Sequence, residues 1–335
     1  MRSLFVVRAL PGTLRYMELK RPFILVCVLL SACADATGVV PNTDAEACPP
    51  QPLAAGDHQF SLTSANGTTY SYVLVVPAGL DLTKKAPLVV VWHALLSSPD
   101  ETRAVTDVDA QAEANGTLTV HPISPDKAWN AGSCCTAFAA GSQRDETVFA
   151  RELVADVKTK VCVDNKRVVT TGFSNGGMLS QQLACQAADL FSAAAPMGST
   201  MTMANASSAC LPAKPIPIFM INGTADPLVG YNQVSLAGGM TVPASFALWA
   251  DRNGCTGEPT VTLQQGAATC RTYAACRDGV EVTLCSVEGM GHCIPGMKKE
   301  SETNCITKVL PLGKPNDDID GIKLSTEWLV RLSQR

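Results

Sequence analysis

The sequence predicts an α/β fold, a mainly parallel sheet with helices on both faces, and three observations support this. Continuous apolar runs such as PLVVVWH at 87–93 and IPIFMING at 216–223 are typical of strands buried on both faces. Segments with helical spacing alternate with these runs. Hydrophobic residues make up 46% of the 335 residues and charged residues only 17%, which is enough for a large core. We therefore expect one catalytic-size domain over 57–335.

The elements follow one another from residue 58 onward. Residues 58–77 alternate around Asn66–Gly67 and predict a hairpin. Helical spacing of Val148, Leu153 and Val157 predicts a helix over roughly 143–160. By the same criteria the remaining strands are expected at 87–93, 116–122, 166–174, 191–199, 216–223 and 280–289, and the remaining helices at 175–189, 242–254 and 319–333.

Charge and cysteine content exclude several classes of protein. The formal net charge is -4 and no basic stripe is present, so nucleic acid is not expected as the main partner. Fourteen cysteines are many for a reduced cytosolic enzyme. With four histidines and no CxxC pair, a disulfide framework is favoured over a metal site. The protein is therefore expected to be exported, with no metal and no cofactor.

The N-terminus has the layout of a signal peptide over 1–32. A short apolar run, 23–30, follows Lys20 and Arg21, and Met17 is a natural alternative start. The ending LLSAC resembles the lipobox of bacterial lipoproteins, which implies a lipid on Cys33 and a membrane anchor. The alternative is an ordinary cleaved signal and a secreted protein. Residues 33–56 are small and Pro-rich, and we expect a flexible tether there.

The stretch TTGFSNGGM at 170–178 contains the pattern G-x-S-x-G around Ser174. It lies between a predicted strand and a predicted helix, which is the context of a nucleophile elbow. Glycines allow the tight turn and the close approach of neighbouring backbones. The alternative is that Ser174 only caps the helix.

A serine nucleophile needs a base that a carboxylate orients. Where this elbow occurs, the chain order is serine, acid, histidine, and His292 is the one histidine after Ser174. Asp226 is the favoured acid because its loop leaves the carboxyl end of a buried strand. The other acids considered are Asp189, Asp251, Glu258, Asp278, Glu281, Glu288, Asp317, Asp318 and Asp320.

An oxyanion hole is expected from backbone N–H groups. One comes from Asn175, which follows the nucleophile, and the other from Ala94 or Leu95 in the loop after the third strand. The earlier histidines, His58, His93 and His121, are expected to be surface or strand-end residues.

The chain resembles the secreted polyhydroxybutyrate depolymerase/feruloyl esterase family of α/β-hydrolases. The resemblance covers about residues 60–333 and is carried, in order, by AWNAGSCC (128–135), CVDNKRVVTTGFSNGGM (162–178), LAC (183–185), NGTADPLVGY (222–231), WADRNGC (249–255) and GVEVTLCSVEGMGHCIPG (279–296). It implies an α/β-hydrolase fold and a carboxylic-ester hydrolase with Ser174, Asp226 and His292 as its triad.

Two positions depart from the family pattern. His93 is followed by Ala94, where members usually have glycine, and Ile294–Pro295–Gly296 replaces the usual Trp-Pro-Gly. Both changes affect the expected substrate more than the reaction.

Within the resemblance, disulfide-stabilised loops are expected. Cys293 would pair with Cys305, Cys255 with Cys276, and Cys134 or Cys135 with Cys162. The expected substrates are feruloyl or acetyl esters of plant polysaccharide or polyhydroxybutyrate-type oligoesters. The alternative function is a non-enzymatic surface-binding protein on a hydrolase scaffold.

Overall fold

The computed structural model describes residues 48–135, 144–207, 210–297, 305 and 312–333. The predicted signal peptide, Cys33 and residues 33–47 of the predicted tether lie outside this part of the chain. Within it, no helix is long and apolar enough to cross a membrane.

The described residues form a ten-stranded sheet in the order β1-β2-β4-β3-β5-β6-β7-β10-β9-β8. The six central strands, from β4 to β10, run parallel, and an antiparallel pair flanks them on each side. The strands are β1 (Gly56–Thr63), β2 (Thr69–Val76), β3 (Ala86–Trp92), β4 (Leu118–Ile123), β5 (Val163–Phe173), β6 (Ala193–Met197), β7 (Ile218–Gly223), β8 (Thr260–Gln265), β9 (Ala268–Tyr273) and β10 (Val282–Val287).

Helices cover both faces of the sheet and create two cores. Alternate residues of β3 point to opposite faces, so Leu88 and Val90 belong to one core and Val89 and Val91 to the other. The helices are α1 (Pro99–Val105), α2 (Val108–Ala114), α3 (Glu146–Lys158), α4 (Asn175–Gln186), α5 (Val242–Arg252) and α6 (Gly321–Ser333). The first core receives side chains of α3, α4 and α5, and the second receives side chains of α2 and α6. The predicted fold class is confirmed.

Two parts of the architecture were not predicted. The hairpin β8–β9 extends the sheet beyond β10, although β8 is almost entirely exposed and shows no apolar run. Helices α1 and α2 have seven residues each, which is too short for a helical period to stand out.

The expected bond from Cys134 or Cys135 to Cys162 is wrong. Cys162 pairs with Cys48, and Cys134 pairs with Cys135. The reason is distance, because Cys162 precedes the eleven-residue β5 whereas Cys134 contacts Asn175, which lies just beyond the far end of that strand. At about 3.3 Å per residue the two positions lie roughly 30 Å apart.

The bond to Cys48 also changes the expected tether. Residues 48–55 are fastened to the domain by this disulfide and by the Leu53 N–H, which donates to the Lys160 carbonyl at 2.9 Å. Strand β1 then begins at Gly56. The part of the tether range that the structure describes is therefore attached to the domain.

Four further disulfides fasten loops and the sheet. Cys255 is bonded to Cys276 and Cys293 to Cys305, the two pairings expected from the resemblance. The other two bonds were not anticipated and are Cys185–Cys210 and Cys270–Cys285. Cys270 and Cys285 face each other across β9 and β10.

Candidate active site

Ser174 stands in a strained turn between β5 and α4. Its backbone has φ 55° and ψ -118°, an unusual conformation for a residue with a Cβ. The Ser174 N–H donates to the Met197 carbonyl at 3.0 Å, which ties the turn to β6. The side chain makes no capping hydrogen bond. The hydroxyl is therefore presented by the turn and does not serve as a helix cap.

The surrounding glycines are required by close packing of backbones. A Cβ on Gly176 would lie 2.1 Å from the Trp92 carbonyl oxygen at the end of β3. A Cβ on Gly172 would lie 2.6 Å from the carbonyl carbon of Gly176. Helix α4 can begin this close to β3 and β5 only because these positions lack side chains.

Asp226 and His292 form a buried pair. His292 Nδ1 donates to Asp226 Oδ2 at 2.6 Å, and the two side chains are 3% and 1% exposed. The other carboxylate oxygen, Oδ1, accepts the backbone N–H groups of Leu228 and Val229, each at 2.8 Å. Because both oxygens are engaged, the carboxylate is held in one orientation toward the imidazole ring.

The loops that carry this pair are bound to each other. The Ala225 N–H donates to the Met290 carbonyl at 3.0 Å, and a Cβ on Gly223 would lie 2.2 Å from the same oxygen. On the far side, the His292 N–H donates to the Leu312 carbonyl at 2.7 Å. The Cys293–Cys305 disulfide follows directly. The Asp226–His292 geometry therefore depends on segments far apart in sequence.

The imidazole of His292 lies beside the elbow. Its ring centroid is 4.7 Å from that of Phe173, the residue before Ser174. With Nδ1 engaged by Asp226, the remaining ring nitrogen, Nε2, is the one available for proton exchange with a neighbouring hydroxyl. The three predicted residues thus follow the carboxyl ends of the parallel strands β5, β7 and β10, at one edge of the sheet.

The loop after β3 carries the other predicted donors. Among the described residues, no acceptor contacts the backbone N–H groups of Ala94, Leu95 and Asn175. The left-handed backbone conformation in this loop falls on Leu96, with φ 60°, and not on Ala94. Alanine in place of the family's glycine therefore causes no strain in φ at that position.

Two of the three earlier histidines are buried: His93 stands at the end of β3, as expected for a strand-end residue, whereas His121 lies within β4. His93 is 1% exposed and His121 is 0% exposed. Burial lowers the pKa of His93 to about 4, so its ring is neutral near pH 7. His121 Nε2 lies 2.8 Å from Asp109 Oδ1. His58 lies on β1, where its Nε2 contacts the Ala54 carbonyl at 2.8 Å.

Sequence reasoning missed the segment that surrounds Trp129. The side-chain amide of Asn175 accepts the Trp129 N–H at 2.8 Å and donates to the Trp129 carbonyl at 3.0 Å. It also reaches Cys134 Sγ at 3.7 Å, next to the Cys134–Cys135 disulfide. The motif AWNAGSCC was noticed as part of the resemblance, but nothing in it indicated contact with the elbow.

Several of the alternative acids have other partners. Asp189 pairs with Arg151 on the surface at 2.7 Å, and Glu281 accepts from Trp328 and Arg331. Asp318 accepts the Ala267 N–H at 2.7 Å. Within the described part of the chain, no group of His, Cys, Asp and Glu residues is arranged to hold a metal ion.

The fold is that of an α/β-hydrolase, and the three residues predicted as a triad lie on one edge of its sheet. A family model described as phospholipase/carboxylesterase matches residues 143–241, which include Ser174 and Asp226. An acetyl xylan esterase from Aspergillus awamori superimposes with a TM-score of 0.50 at 16% identity, over 70% of this chain and 94% of that chain. At this identity the structural match shows the fold alone.

The chain is also similar in sequence to curated esterases. Feruloyl esterase B of Piromyces equi is 33% identical over 234 residues, which cover 66% of this chain and 42% of that protein. The bifunctional acetylxylan esterase/xylanase of Neocallimastix patriciarum is 24% identical over 222 residues, or 65% of this chain and 30% of that protein. The chain thus spans less than half the length of these two relatives. The chain has an α/β-hydrolase fold, and its similarity to feruloyl and acetylxylan esterases agrees with the feruloyl esterase part of the predicted resemblance. The polyhydroxybutyrate depolymerase part stays a prediction.

Proposed function

We propose that the protein is a serine carboxylic-ester hydrolase that acts on feruloyl or acetyl esters of plant polysaccharide. The observation that carries the proposal is the buried Asp226–His292 pair beside an elbow that presents Ser174. Similarity to a feruloyl esterase and to an acetylxylan esterase supports the substrate class.

In the proposed reaction, Ser174 Oγ attacks the ester carbonyl carbon and its proton passes to His292 Nε2. Asp226 accepts the hydrogen bond from Nδ1 and stabilises the imidazolium that forms. The carbonyl oxygen becomes an oxyanion, which the N–H groups of Asn175 and of Ala94 or Leu95 would bind.

Acylation ends when the alcohol departs, and water then hydrolyses the acyl-enzyme. The alcohol leaves with the proton from His292, and the acyl group stays on Ser174. Water then attacks the acyl carbon while His292 takes its proton; the bond between the acyl carbon and Ser174 Oγ breaks and His292 gives the proton to Oγ, which releases the acid and restores the serine hydroxyl. Each step uses groups of this chain, and the proposal includes no cofactor and no metal.

The test is replacement of the nucleophile. Ser174→Ala should abolish hydrolysis of p-nitrophenyl acetate, while the matched variant Ser61→Ala, on the exposed hairpin, should keep it. A fluorophosphonate probe should label the wild-type protein and not Ser174→Ala. Hydrolysis retained by Ser174→Ala would overturn the assignment, and a wild-type protein that is neither labelled nor active would favour a non-enzymatic binding protein.

The substrate class is tested separately. Purified protein should hydrolyse methyl ferulate or release acetate from acetylated xylan faster than it cleaves hydroxybutyrate oligomers. The reverse preference would favour the polyhydroxybutyrate side of the resemblance.

Export is supported by the disulfide framework, because such bonds persist in oxidising compartments. Lipidation at Cys33 is part of the same proposal. Metabolic labelling with a fatty acid, compared between the wild type and Cys33→Ser, tests it, and equal labelling would contradict the anchor.

A further inference from the structure

The indole of Trp129 contacts the oxyanion loop directly. Its Nε1–H donates to the His93 carbonyl at 2.9 Å, and Trp129 is fully buried. The His93 carbonyl and the Ala94 N–H belong to one peptide unit, which is planar and trans. Because the two groups of a trans peptide point in opposite directions, a hydrogen bond that fixes the His93 carbonyl also fixes the direction of the Ala94 N–H.

The next peptide unit of the loop is fixed through the His93 ring. Ser124 donates its N–H to His93 Nε2 at 3.2 Å, so Nε2 is the unprotonated nitrogen. Nδ1 then carries the hydrogen and donates to the Ala94 carbonyl at 2.8 Å, which orients the peptide that ends in the Leu95 N–H. Trp129 packs against this imidazole with ring centroids 4.7 Å apart. Both candidate donor peptides are therefore held by contacts that include Trp129.

Trp129 is itself held by the nucleophile elbow. The Asn175 side-chain amide binds both the N–H and the carbonyl of Trp129. On either side of Trp129, the Ala128 carbonyl accepts from Arg144 at 2.6 Å and the Asn130 N–H donates to Glu146 at 3.1 Å. The backbone around Trp129 is thus bound on every side, and its ring cannot shift without breaking buried hydrogen bonds.

We propose that Trp129 is a positioning residue that aligns the oxyanion loop with the nucleophile elbow. It connects the two halves of the oxyanion hole, since Asn175 supplies one donor through its backbone and holds Trp129 through its side chain. This role rests on the proposed ester hydrolysis and extends it to a residue that does not touch the substrate. Trp129 should therefore affect the stabilisation of the oxyanion and have little effect on substrate binding in the ground state.

The test compares two buried tryptophans. Trp129→Phe keeps an aromatic ring and removes the donor to His93. The matched control is Trp249→Phe on α5, where a fully buried indole donates at 2.9 Å to Gln181, away from the oxyanion loop. Both variants should unfold at a lower urea concentration than the wild type, because each removes a buried indole hydrogen bond; in Trp249→Phe, Gln181 Oε1 keeps the Ser245 hydroxyl as a donor.

The kinetic outcomes separate positioning from stability. Trp129→Phe should lower kcat for p-nitrophenyl acetate about ten- to hundred-fold with KM nearly unchanged, whereas Trp249→Phe should keep kcat within about threefold. Equal kcat losses in the two variants, or a wild-type kcat in Trp129→Phe, would overturn the proposal.

A transition-state analogue gives a second readout. A trifluoromethyl ketone forms an oxyanion when Ser174 Oγ adds to its carbonyl carbon and the proton moves to His292. Its affinity should fall in Trp129→Phe by the same factor as kcat/KM. Asn175→Ala keeps the backbone N–H but removes the side-chain hydrogen bonds to Trp129, so it should lower kcat/KM by a similar factor. In the double variant kcat/KM should fall by less than the product of the two single factors. Multiplicative losses would contradict a shared role.

The two proposals fail in different ways. If wild-type protein hydrolyses the ester and Ser174→Ala does not, the proposed function stands whatever Trp129→Phe does. A Trp129→Phe enzyme with unchanged kcat and unchanged ketone affinity then removes only the positioning role.

Discussion

The nucleophile elbow and the Asp226–His292 pair hold their side chains by opposite means. The elbow depends on glycines that lie close to Ser174 in sequence, because Gly172 and Gly176 let α4 begin against the backbone of β3. The acid–base pair depends on hydrogen bonds between loops that follow β7 and β10 and on the segment at Leu312. A local sequence pattern can therefore predict the elbow, whereas the acid–base pair is held by contacts between segments far apart in sequence.

This difference implies different kinds of fragility. A single added methyl group should disrupt the elbow, because its neighbours are backbone atoms that cannot rotate away. The acid–base loops also contain a close backbone approach, at Gly223, and the pair should in addition be sensitive to loss of charge or of a loop constraint.

The largest expected effect is loss of the carboxylate at Asp226. Asp226→Asn keeps an oxygen that can accept the Leu228 and Val229 N–H groups, so the loop should stay folded. It removes the acceptor charge that orients and stabilises His292, and kcat should fall by about 10⁴-fold. Steady-state kinetics on p-nitrophenyl acetate with thermal unfolding as a control checks this. A loss below tenfold would show that another acid serves His292.

The next effect is steric and concerns the elbow. In Gly176→Ala the new Cβ meets the Trp92 carbonyl oxygen, so α4 must shift away from β3. Unfolding free energy should fall by about 1–3 kcal/mol, and kcat should fall at least about 10²-fold because the hydroxyl moves. Gly79→Ala is the matched control, since nothing lies within 4 Å of its Cβ position. Wild-type activity in Gly176→Ala would contradict the close-packed elbow.

Removal of a disulfide should destabilise the protein more beside His292 than beside the elbow. The Cys293–Cys305 bond closes a loop of sequence separation 12 beside His292, and replacing both cysteines by serine should cost about 3 kcal/mol. The Cys134–Cys135 bond near the elbow has a separation of 1, so its loop-closure contribution is small and the double serine variant should unfold at nearly the wild-type urea concentration. Equal losses would mean that the adjacent pair stabilises the native state by its contacts.

The last effect is the pH dependence of stability through His93. Its folded pKa of about 4 lies below the ordinary value of 6.5, so the unfolded chain binds more protons between these values. Stability contributed by the neutral ring is fully present above pH 6.5 and is lost as the pH falls toward 4, by up to about 3 kcal/mol. Urea unfolding of His93→Gln should show a weaker dependence in this window. His58→Gln, on the exposed strand β1, should keep the wild-type slope, and so would His93→Gln if its ring were not the titrating group.

The sequence predicted most of the central sheet because buried parallel strands are continuous apolar runs, as 87–93 and 216–223 show. The edge hairpin β8–β9 was missed since exposed strands such as β8 lack that signal. The pairing of Cys162 was mistaken because cysteine spacing does not say which end of β5 a distant cysteine approaches.

The sequence by itself was enough to predict the elbow around Ser174, to single out His292 as the one histidine after it, and to place Asp226 after a buried strand. These are local patterns or consequences of chain order, and they do not depend on contact distances. Only the tertiary structure decided which groups hold them: the Met290 and Leu312 carbonyls around the acid–base loops and the link from Asn175 through Trp129 to His93. Such hydrogen bonds join residues at least 20 positions apart, and every residue has a backbone carbonyl, so no spacing in the sequence predicts them.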